Sequence, residues 1–203
     1  MQPTRRGCSA GERRLMIETA RLILRVPQDD DLEWFVEHMN TAAVMRHLGG
    51  VRTRDAVAAG LARSAESFAR HGVGFWTITL RESGERAGKC GLGAIDGEHA
   101  PSQLRGQPEI GWSLAEPFWG RGYAAEAARA VLDYGFATLD YDTVYSRTSA
   151  SNQASTRLME RLGFSRLAAL DYDDPDYPAA DNPTTIYGLT RASYKRDRLD
   201  VPA

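Results

Sequence analysis

The sequence predicts an α/β fold in which helices pack on the faces of one mixed sheet. Segments with an apolar residue at every second position alternate with segments whose apolar residues recur every three or four positions. The two patterns follow one another in the order β-α-α-β-β-β-α-β-α-β-β, which predicts seven strands. A length of 203 residues, 42% of them apolar, suits a single domain with a substantial core, and neither an internal repeat nor a linker divides the chain.

The first half of the chain predicts a strand, two helices and a hairpin of two further strands. In order, these are strand Glu18–Val26, helix Asp30–Asn40, a helix that Thr53 caps and Gly72 ends, and strands Gly74–Leu80 and Arg86–Ile95. Asp29 is the expected cap of the first helix, because a carboxylate can accept the free N–H groups of a first turn. The several glycines of the last strand favour a β-bulge there.

The second half predicts four strands separated by helices and loops. The four predicted strands are Glu109–Leu114, Thr143–Thr148, Phe164–Tyr172 and Thr185–Thr190. Helix Gly122–Thr138 lies between the first two strands, and helix Gln153–Leu162 lies between the second and the third. Polar loops are predicted at 96–107 and from Asp173 to Pro183, and a polar helical tail follows the last strand. Gly163 directly follows a predicted helix, at the position where glycine commonly ends one.

Composition excludes several classes of protein. The net charge of −2 provides no basic field for nucleic acid or anionic lipid, and no apolar run approaches the ~18 residues of a membrane span. Two cysteines cannot form a disulfide framework, which favours free thiols in a reducing compartment and hence the cytoplasm; Cys90, in an apolar strand, is expected to be a buried thiol. The four histidines are scattered and no Cys/His cluster has zinc spacing, so no metal site is expected.

The chain is expected to form one folded domain between two tails. The domain is predicted at 16–196, because the periodic segments all fall within it. Residues 1–15 are basic and lack the apolar stretch of a secretory signal, so they are expected to be a disordered tail. A second tail is predicted at 197–203.

The most informative segment is EIGWSLAEPFWGRGYAAEAARA, which begins at Glu109. A strand leads into the turn Gly120-Arg121-Gly122, and an alanine-rich helix follows directly. Backbone N–H groups at such a helix start converge on an anion, and the helix dipole favours its binding. The turn therefore predicts a phosphate or pyrophosphate site, with a plain tight turn as the alternative. The segment lacks both G-x-x-x-x-G-K-[ST] and the third glycine of G-x-G-x-x-G, which argues against a P-loop NTPase and a dinucleotide-binding unit.

The strand EIGWSL, the turn FWGRGYAAEA and the downstream SASNQASTRLMERLGF together resemble the GNAT superfamily of acetyl-CoA-dependent N-acetyltransferases. Within it the chain is most similar to the RimJ/RimL type, which acetylates protein N-termini and whose members open with a segment like IETARLILR and close with a strand like IYGLTRASY. The resemblance covers roughly residues 16–196. It implies a mixed, mostly antiparallel sheet of seven strands with a splayed central pair, helices on both faces, and acetyl-CoA as the cosubstrate.

The resemblance also assigns a coenzyme site. The pantetheine arm would enter between the strand Ile110–Leu114 and the strand after Thr143, and it would pair with the backbone of Trp112, Ser113 and Leu114. The family's pyrophosphate turn corresponds to Trp119, Gly120, Arg121, Gly122, Tyr123, Ala124 and Ala125. Asn152 matches the family asparagine that hydrogen-bonds the coenzyme arm, and it is equally suited to cap the following helix.

For catalysis the resemblance implies a donor to the leaving thiolate and a carboxylate that faces the amine. Many family members carry a tyrosine seven positions after the asparagine, where this sequence has Met159, whereas RimJ/RimL-like sequences carry a serine three positions after it. That serine is Ser155, which is therefore the expected donor to sulfur. Glu109 is the expected base, with Asp173 and Asp174 as competing candidates. A backbone N–H near Ser113 or Leu114 would polarise the thioester carbonyl.

The acceptor is expected to be a primary amine. An α-amino group of pKa ~7.8 is neutral far more often at pH 7 than a lysine side chain of pKa ~10.4, so it needs less help from a base. A protein N-terminus is therefore a suitable acceptor for a site without an evident histidine base. The acidic loop that contains Asp173 and Asp174 would attract a cationic substrate, unless it is only a solvated loop. Trp34 and the segment Met45–Gly50 would form the other wall, although Trp34 would also suit the core.

Two alternatives stay open at this point. The same fold could acetylate a small amine such as an antibiotic, a polyamine or an amino acid. The chain could also be a catalytically silent, coenzyme-A-binding regulatory module, which the absence of tyrosine at Met159 would favour. Neither nucleic acid nor a membrane is an expected partner, and the protein is expected to be a monomer or a homodimer.

Overall fold

The computed structural model describes residues 15–199, with side chains described up to residue 195. Residues 1–14 and 200–203 of the two predicted tails lie outside the described residues. The strands are β1 (Ile17–Glu18), β2 (Leu22–Arg25), β3 (Phe75–Leu80), β4 (Arg86–Ala94), β5 (Pro108–Leu114), β6 (Thr143–Ser149), β7 (Ser165–Arg166) and β8 (Thr184–Thr190). The helices are α1 (Asp31–Trp34, continued by a π-helical turn at Phe35–Met39), α2 (Arg54–His71), α3 (Tyr123–Ala137), α4 (Gln153–Arg161) and α5 (Arg191–Leu199). None of the described helices is long and apolar enough to cross a bilayer.

The sheet is mixed and mostly antiparallel, which confirms the predicted fold class. Its strand order is β1-β2-β3-β4-β5-β6-β8-β7. All paired strands run antiparallel except β5 and β6, which are parallel. Helices pack on both faces, as the sequence predicts.

Within residues 15–199 the sheet has eight strands, and the prediction of seven was wrong because the first predicted strand is divided. Thr19 turns the chain between β1 and β2. Its backbone N–H donates to the Leu22 carbonyl (2.9 Å), and the Leu22 N–H donates to the Thr19 hydroxyl (2.9 Å). The chain therefore folds back on itself, and β1 pairs antiparallel with β2.

The predicted strand Phe164–Tyr172 was also wrong over most of its length. Only β7 pairs as a strand, and Ala168–Leu170 forms a turn of 3₁₀ helix. The Ile186 N–H of β8 donates to the Asp171 carboxylate (3.0 Å) instead of to a backbone carbonyl. Because the Asp171 side chain occupies the position of a backbone acceptor, the backbone of 168–171 does not pair with β8. Pairing resumes in a single bridge between Tyr172 and Thr184.

Most of the predicted helix ends are confirmed. The Thr53 hydroxyl accepts the Ala56 N–H (3.2 Å) at the start of α2, and Gly72 ends that helix in a left-handed conformation. Gly163 likewise follows α4 with a positive φ. Asp29 is not the cap of α1, since this helix begins at Asp31, whose carboxylate turns into the protein. The expected bulge in β4 appears as a register shift opposite Ile78 and Thr79.

The two faces of the sheet have different roles. The face that carries Trp76 and Cys90 packs against α3 in the main core, and the rings of Trp76 and Tyr134 lie 5.4 Å apart. Cys90 is fully buried and burial raises the pKa of its thiol, which confirms it as a buried thiol. The opposite face, which carries Thr77, lies under α1: the Thr77 hydroxyl donates to Asp31 (2.9 Å).

Candidate active site

A cleft opens where β5 and β6 separate. The two parallel strands share one register pair, Glu109 opposite Tyr145, and diverge beyond it. The Ser146 hydroxyl donates to the Ile110 carbonyl (3.1 Å) at the point of divergence. The cleft forms part of a cavity of about 1060 Å³, which both strands, the start of α3 and the chain around 43–48 line. The predicted splayed pair is therefore present.

The edge of β5 offers backbone groups to this cleft. Ser113 lies opposite Lys89 in the ladder with β4, and the Ala115 N–H two positions on donates to Ala87 of the same strand (3.0 Å). Since successive residues of a strand point their backbone groups to opposite sides, Trp112 and Leu114 present theirs to the cleft. The Leu114 carbonyl already accepts the Trp119 indole N–H (2.7 Å). An amide-bearing arm can therefore pair with this edge as an added strand.

The glycine turn presents uncapped backbone N–H groups at the end of β5. Gly120 and Gly122 both have positive φ, at 72° and 79°, and α3 begins directly after them. No side chain caps this helix start, so its first N–H groups point out of the helix without a capping partner among the described residues. These N–H groups and the helix dipole suit a phosphate or pyrophosphate, as the sequence predicts.

A salt bridge from a distant segment holds the turn in place. Glu126, in the first turn of α3, accepts hydrogen bonds from the Thr19 hydroxyl (2.6 Å), the Arg21 N–H (2.8 Å) and the Arg21 Nε (2.6 Å). Burial acts to raise the pKa of Glu126, but these hydrogen bonds outweigh it and lower the pKa. The same Arg21 guanidinium donates to the Arg121 carbonyl (3.0 Å), which fixes the backbone of the turn. Sequence analysis missed this brace, because nothing in the local pattern links residues more than 100 positions apart.

Asn152 and Ser155 lie at the start of α4, on the other side of the cleft. The Asn152 side-chain carbonyl accepts the Ser155 N–H (3.2 Å), so Asn152 caps the helix, while its amide N–H groups have no partner among the described residues. Both residues line the cavity. Met159 is fully buried in the core and does not line the cavity.

Glu109 is paired with Arg147 across the cleft floor. The Arg147 guanidinium donates to both oxygens of Glu109, at 2.8 and 3.0 Å, and also to the Tyr172 hydroxyl at 2.9 Å. Burial raises the pKa of Glu109, and the hydrogen bonds from Arg147 act in the opposite direction. A carboxylate has about four acceptor directions, so this pairing occupies half of them. The assignment of Glu109 as the base stays a prediction.

The three residues predicted to contact substrate are not brought together. Trp34 packs edge-on against Phe35, with ring centroids 5.4 Å apart, and Phe35 rather than Trp34 lines the cavity. Asp173 is exposed and does not line the cavity. Asp174 lines it, is buried, and accepts the Asp176 N–H (3.1 Å).

Sequence analysis missed a cluster formed by His47, Ser149, Ser151 and Asp181. The His47 Nδ1 lies 3.0 Å from the Asp181 carboxylate, and both serine hydroxyls contact that same carboxylate. His47 falls in the segment expected to form a wall of the site, but nothing in the sequence indicates a partner 134 positions away.

Comparisons with known proteins agree with this geometry. Residues 21–165 match the family model described as an acetyltransferase (GNAT) domain. The chain is 32% identical to the uncharacterized protein YkkB of Bacillus subtilis over 71% of this chain and 82% of that protein. It is 30% identical to an acetyltransferase structure from Agrobacterium tumefaciens, with a TM-score of 0.70 over 87% of this chain and 94% of that one. RimL, a ribosomal α-N-protein acetyltransferase solved with coenzyme A, shares the fold at 18% identity, with a TM-score of 0.69 over 86% of this chain and 97% of that one.

Proposed function

Because this chain belongs to the GNAT acetyltransferase family and uses acetyl-CoA, we propose that it transfers the acetyl group directly to a primary amine bound in the same cavity. The observation that carries the proposal is the continuity of this cavity. It extends from the glycine turn at Gly120, along the edge of β5, to the floor at Glu109. Donor and acceptor can therefore be bound together, and no covalent enzyme intermediate is needed.

The coenzyme would lie along the splayed edge. The N–H groups between Gly120 and Ala125 would hold the pyrophosphate, and the backbone of Trp112 would pair with the pantetheine arm. The hydrogen bond from the Trp119 indole to the Leu114 carbonyl connects the turn to the end of β5. The exposed Arg121 guanidinium would contact a phosphate. The Asn152 amide N–H groups would donate to a carbonyl of the arm. The N–H groups of the turn and of the Asn152 amide have no other hydrogen-bond partner among the described residues, whereas the Arg121 guanidinium also lies over the Phe118 ring, 6.0 Å from its centroid.

Acetyl transfer requires stabilisation of both the oxyanion and the leaving thiolate. The Leu114 N–H faces the cleft and would polarise the thioester carbonyl, whereas the Ser113 N–H is directed to β4 by the ladder. Ser155 lines the same cavity, and its hydroxyl has no hydrogen bond among the described residues. It would donate to the sulfur as the carbon–sulfur bond breaks.

A panel of amines tests the proposal and decides the class of acceptor. The protein is incubated with acetyl-CoA and, separately, a tripeptide with a free α-amino group, free lysine, spermidine and an aminoglycoside, while the release of coenzyme A thiol is followed. Release above background with the tripeptide alone would indicate a peptide acceptor, and release with a small amine would indicate the alternative. Coenzyme A binding by calorimetry without thiol release from any amine would overturn the proposal and support a silent binding module.

Replacing Ser155 by alanine is expected to lower kcat about ten- to a hundredfold, because the thiolate loses one hydrogen bond to a charged group. The KM for acetyl-CoA is expected to change little. Thr156→Ala provides the matched control, since it removes a hydroxyl from the next position of α4, which does not line the cavity. Steady-state kinetics on the best amine of the panel checks the prediction, and unchanged turnover in Ser155→Ala would remove this residue from the mechanism.

A further inference from the structure

Four polar side chains from three separate segments meet at one corner of the cavity. The His47 Nδ1 contacts the Asp181 Oδ1 at 3.0 Å and the Ser151 hydroxyl at 3.2 Å. Asp181 Oδ1 also accepts hydrogen bonds from Ser151 (2.9 Å) and Ser149 (3.2 Å). The side chains of His47 and Asp181 are mostly buried, at 20% and 12% exposure. Ser151 is exposed, but the other three members of the cluster are at least partly buried.

The hydrogen bonds fix the orientation of the imidazole. Burial acts to raise the pKa of Asp181, but the bonds from His47, Ser151 and Ser149 outweigh it and lower the pKa, so the group is an ionised acceptor. Because an ionised carboxylate only accepts, the Nδ1 of His47 must carry the proton that it shares with Asp181. In the neutral ring the Nε2 then holds a lone pair, and it has no partner among the described residues.

This arrangement excludes a nucleophilic serine. A Ser-His-Asp triad needs the serine on one ring nitrogen and the carboxylate on the other. Here the hydroxyl of Ser151 and the carboxylate of Asp181 both contact the Nδ1 of His47. The geometry is that of a carboxylate that orients a proton acceptor, with the serines supporting the carboxylate.

The cluster lies in the cavity that the proposed function assigns to the acceptor amine. His47, Ser149 and Asp181 all line the cavity that contains the cleft. Ser149 ends β6 and lies three residues before Asn152, so it flanks the proposed path of the coenzyme arm. It also lies two positions beyond Arg147, and therefore on the face of β6 that holds Glu109.

We propose that His47 is the proton acceptor of the acetyl transfer and that Asp181 is its positioning residue, an inference that rests on the proposed function. The Nε2 of His47 takes one proton from the substrate ammonium, and the electron pair of the broken N–H bond stays on nitrogen. The free amine forms the new C–N bond as the carbon–sulfur bond breaks. A second proton passes from the nitrogen to the sulfur by way of Ser155, and the third stays on the nitrogen of the amide. The proton on His47 returns to solvent, so that an ammonium and acetyl-CoA give an amide, coenzyme A thiol and one proton.

Other charged groups of the cavity lie farther along its walls. Of the described residues, only Asp181 forms an ion pair with His47. The other titratable and charged groups that line the cavity around these elements are Arg46 and Arg52 on the segment of His47, Lys89, Asp96, Glu109 and Arg147 on or beside the sheet, and Tyr172, Asp174 and Tyr177 before β8. Asp181 is therefore the carboxylate that faces the imidazolium as it forms.

The first test measures which ring nitrogen of His47 carries the proton, and it needs no acceptor amine. In the coenzyme A complex of ¹⁵N-labelled protein, imidazole NMR signals assigned by comparison with His47→Asn are expected to show the proton on Nδ1. A neutral ring protonated on Nε2 would overturn the proposal. This measurement is independent of whether an acceptor has been found.

The second test reads catalysis with the best amine of the panel. His47→Asn keeps an N–H that can donate to Asp181 but has no basic nitrogen, so kcat/KM is expected to fall about 10²- to 10⁴-fold at pH 7, with unchanged coenzyme A affinity. The acidic limb of the wild-type profile of kcat/KM against pH is expected to disappear in His47→Asn, because the proposed proton acceptor is gone. Asp181→Asn is expected to lower kcat/KM less than His47→Asn does and to keep the acidic limb, because the imidazole is present but no longer held by a carboxylate. The exposed His71→Asn is the matched control and should behave as wild type.

Glu109→Gln separates the two candidate bases. If the acidic limb survives in His47→Asn and is lost in Glu109→Gln, the proposal is overturned and the role returns to Glu109. If the wild type releases no thiol with any amine, the proposed function itself fails, and the catalytic role of His47 fails with it. A fall in activity that His71→Asn shares equally would also contradict the proposal.

Discussion

Replacing Gly120 by valine is expected to weaken coenzyme A binding at least tenfold, which corresponds to about 1.4 kcal/mol of binding free energy. Gly120 has a φ of 72°, where a side chain with a branched Cβ costs about 1–2 kcal/mol. The turn can relieve this strain only by moving its N–H groups away from the positions that face the pyrophosphate. Calorimetric titration with coenzyme A measures the loss.

Gly84 provides a closely matched control for this substitution. It lies in the β3–β4 hairpin with a φ of 73°, and a Cβ at either Gly84 or Gly120 would meet nothing within 4 Å. Gly84→Val is therefore expected to lower the stability of the protein by a similar amount and to leave the affinity for coenzyme A unchanged. Equal affinities in the two variants would show that the glycine turn does not bind the pyrophosphate.

Replacing Asp31 by alanine is expected to lower the free energy of unfolding by about 3 kcal/mol, because it removes a fully buried carboxylate and leaves two partly buried arginines without it. Asp31 is fully buried. It pairs with Arg25 through two hydrogen bonds (2.6 and 2.8 Å) and with the Arg86 Nε (2.6 Å), and it also accepts from Thr77 (2.9 Å). This network joins α1 to the sheet beside the cavity. Denaturant unfolding at pH 7 measures the effect.

The neighbouring Asp30 is the control for this loss. It pairs with the same Arg86 (2.8 Å) but is 70% exposed, so Asp30→Ala is expected to cost no more than about 1 kcal/mol. A loss in Asp31→Ala no larger than that in Asp30→Ala would contradict the assigned role of the network.

The Asp31 network also predicts how stability depends on pH. Burial acts to raise the pKa of Asp31, but the hydrogen bonds from Arg25, the Gln28 N–H and Arg86 outweigh it and lower the pKa to about 2. Because the pKa is lower in the folded protein, the stabilisation is complete above about pH 4 and is lost as the pH falls towards 2, a change of about 2 kcal/mol. Stability measured between pH 5 and pH 2 should therefore fall less steeply in Asp31→Asn than in the wild type.

The fold was largely predictable because its elements have strong local signals. Thr53 and Gly72 bound α2 as expected, since capping depends on residues only a few positions apart. The predicted strand Phe164–Tyr172 failed for the opposite reason. Its alternating pattern is that of a strand, but the Asp171 side chain takes the place of a backbone group on β8, and that contact exists only in the folded protein.

The sequence by itself determined the local structure of the proposed coenzyme-binding region, because strand, turn and helix start are contiguous between Glu109 and Ala125 and would bind mainly through their backbone. Only the tertiary structure decided how that region is braced and which side chains face the acceptor. Glu126 meets Arg21, Glu109 meets Arg147, and His47 meets Asp181 across separations of 105, 38 and 134 residues. Backbone geometry follows from neighbours along the chain, whereas a cluster of side chains depends on which distant segments the sheet order places side by side.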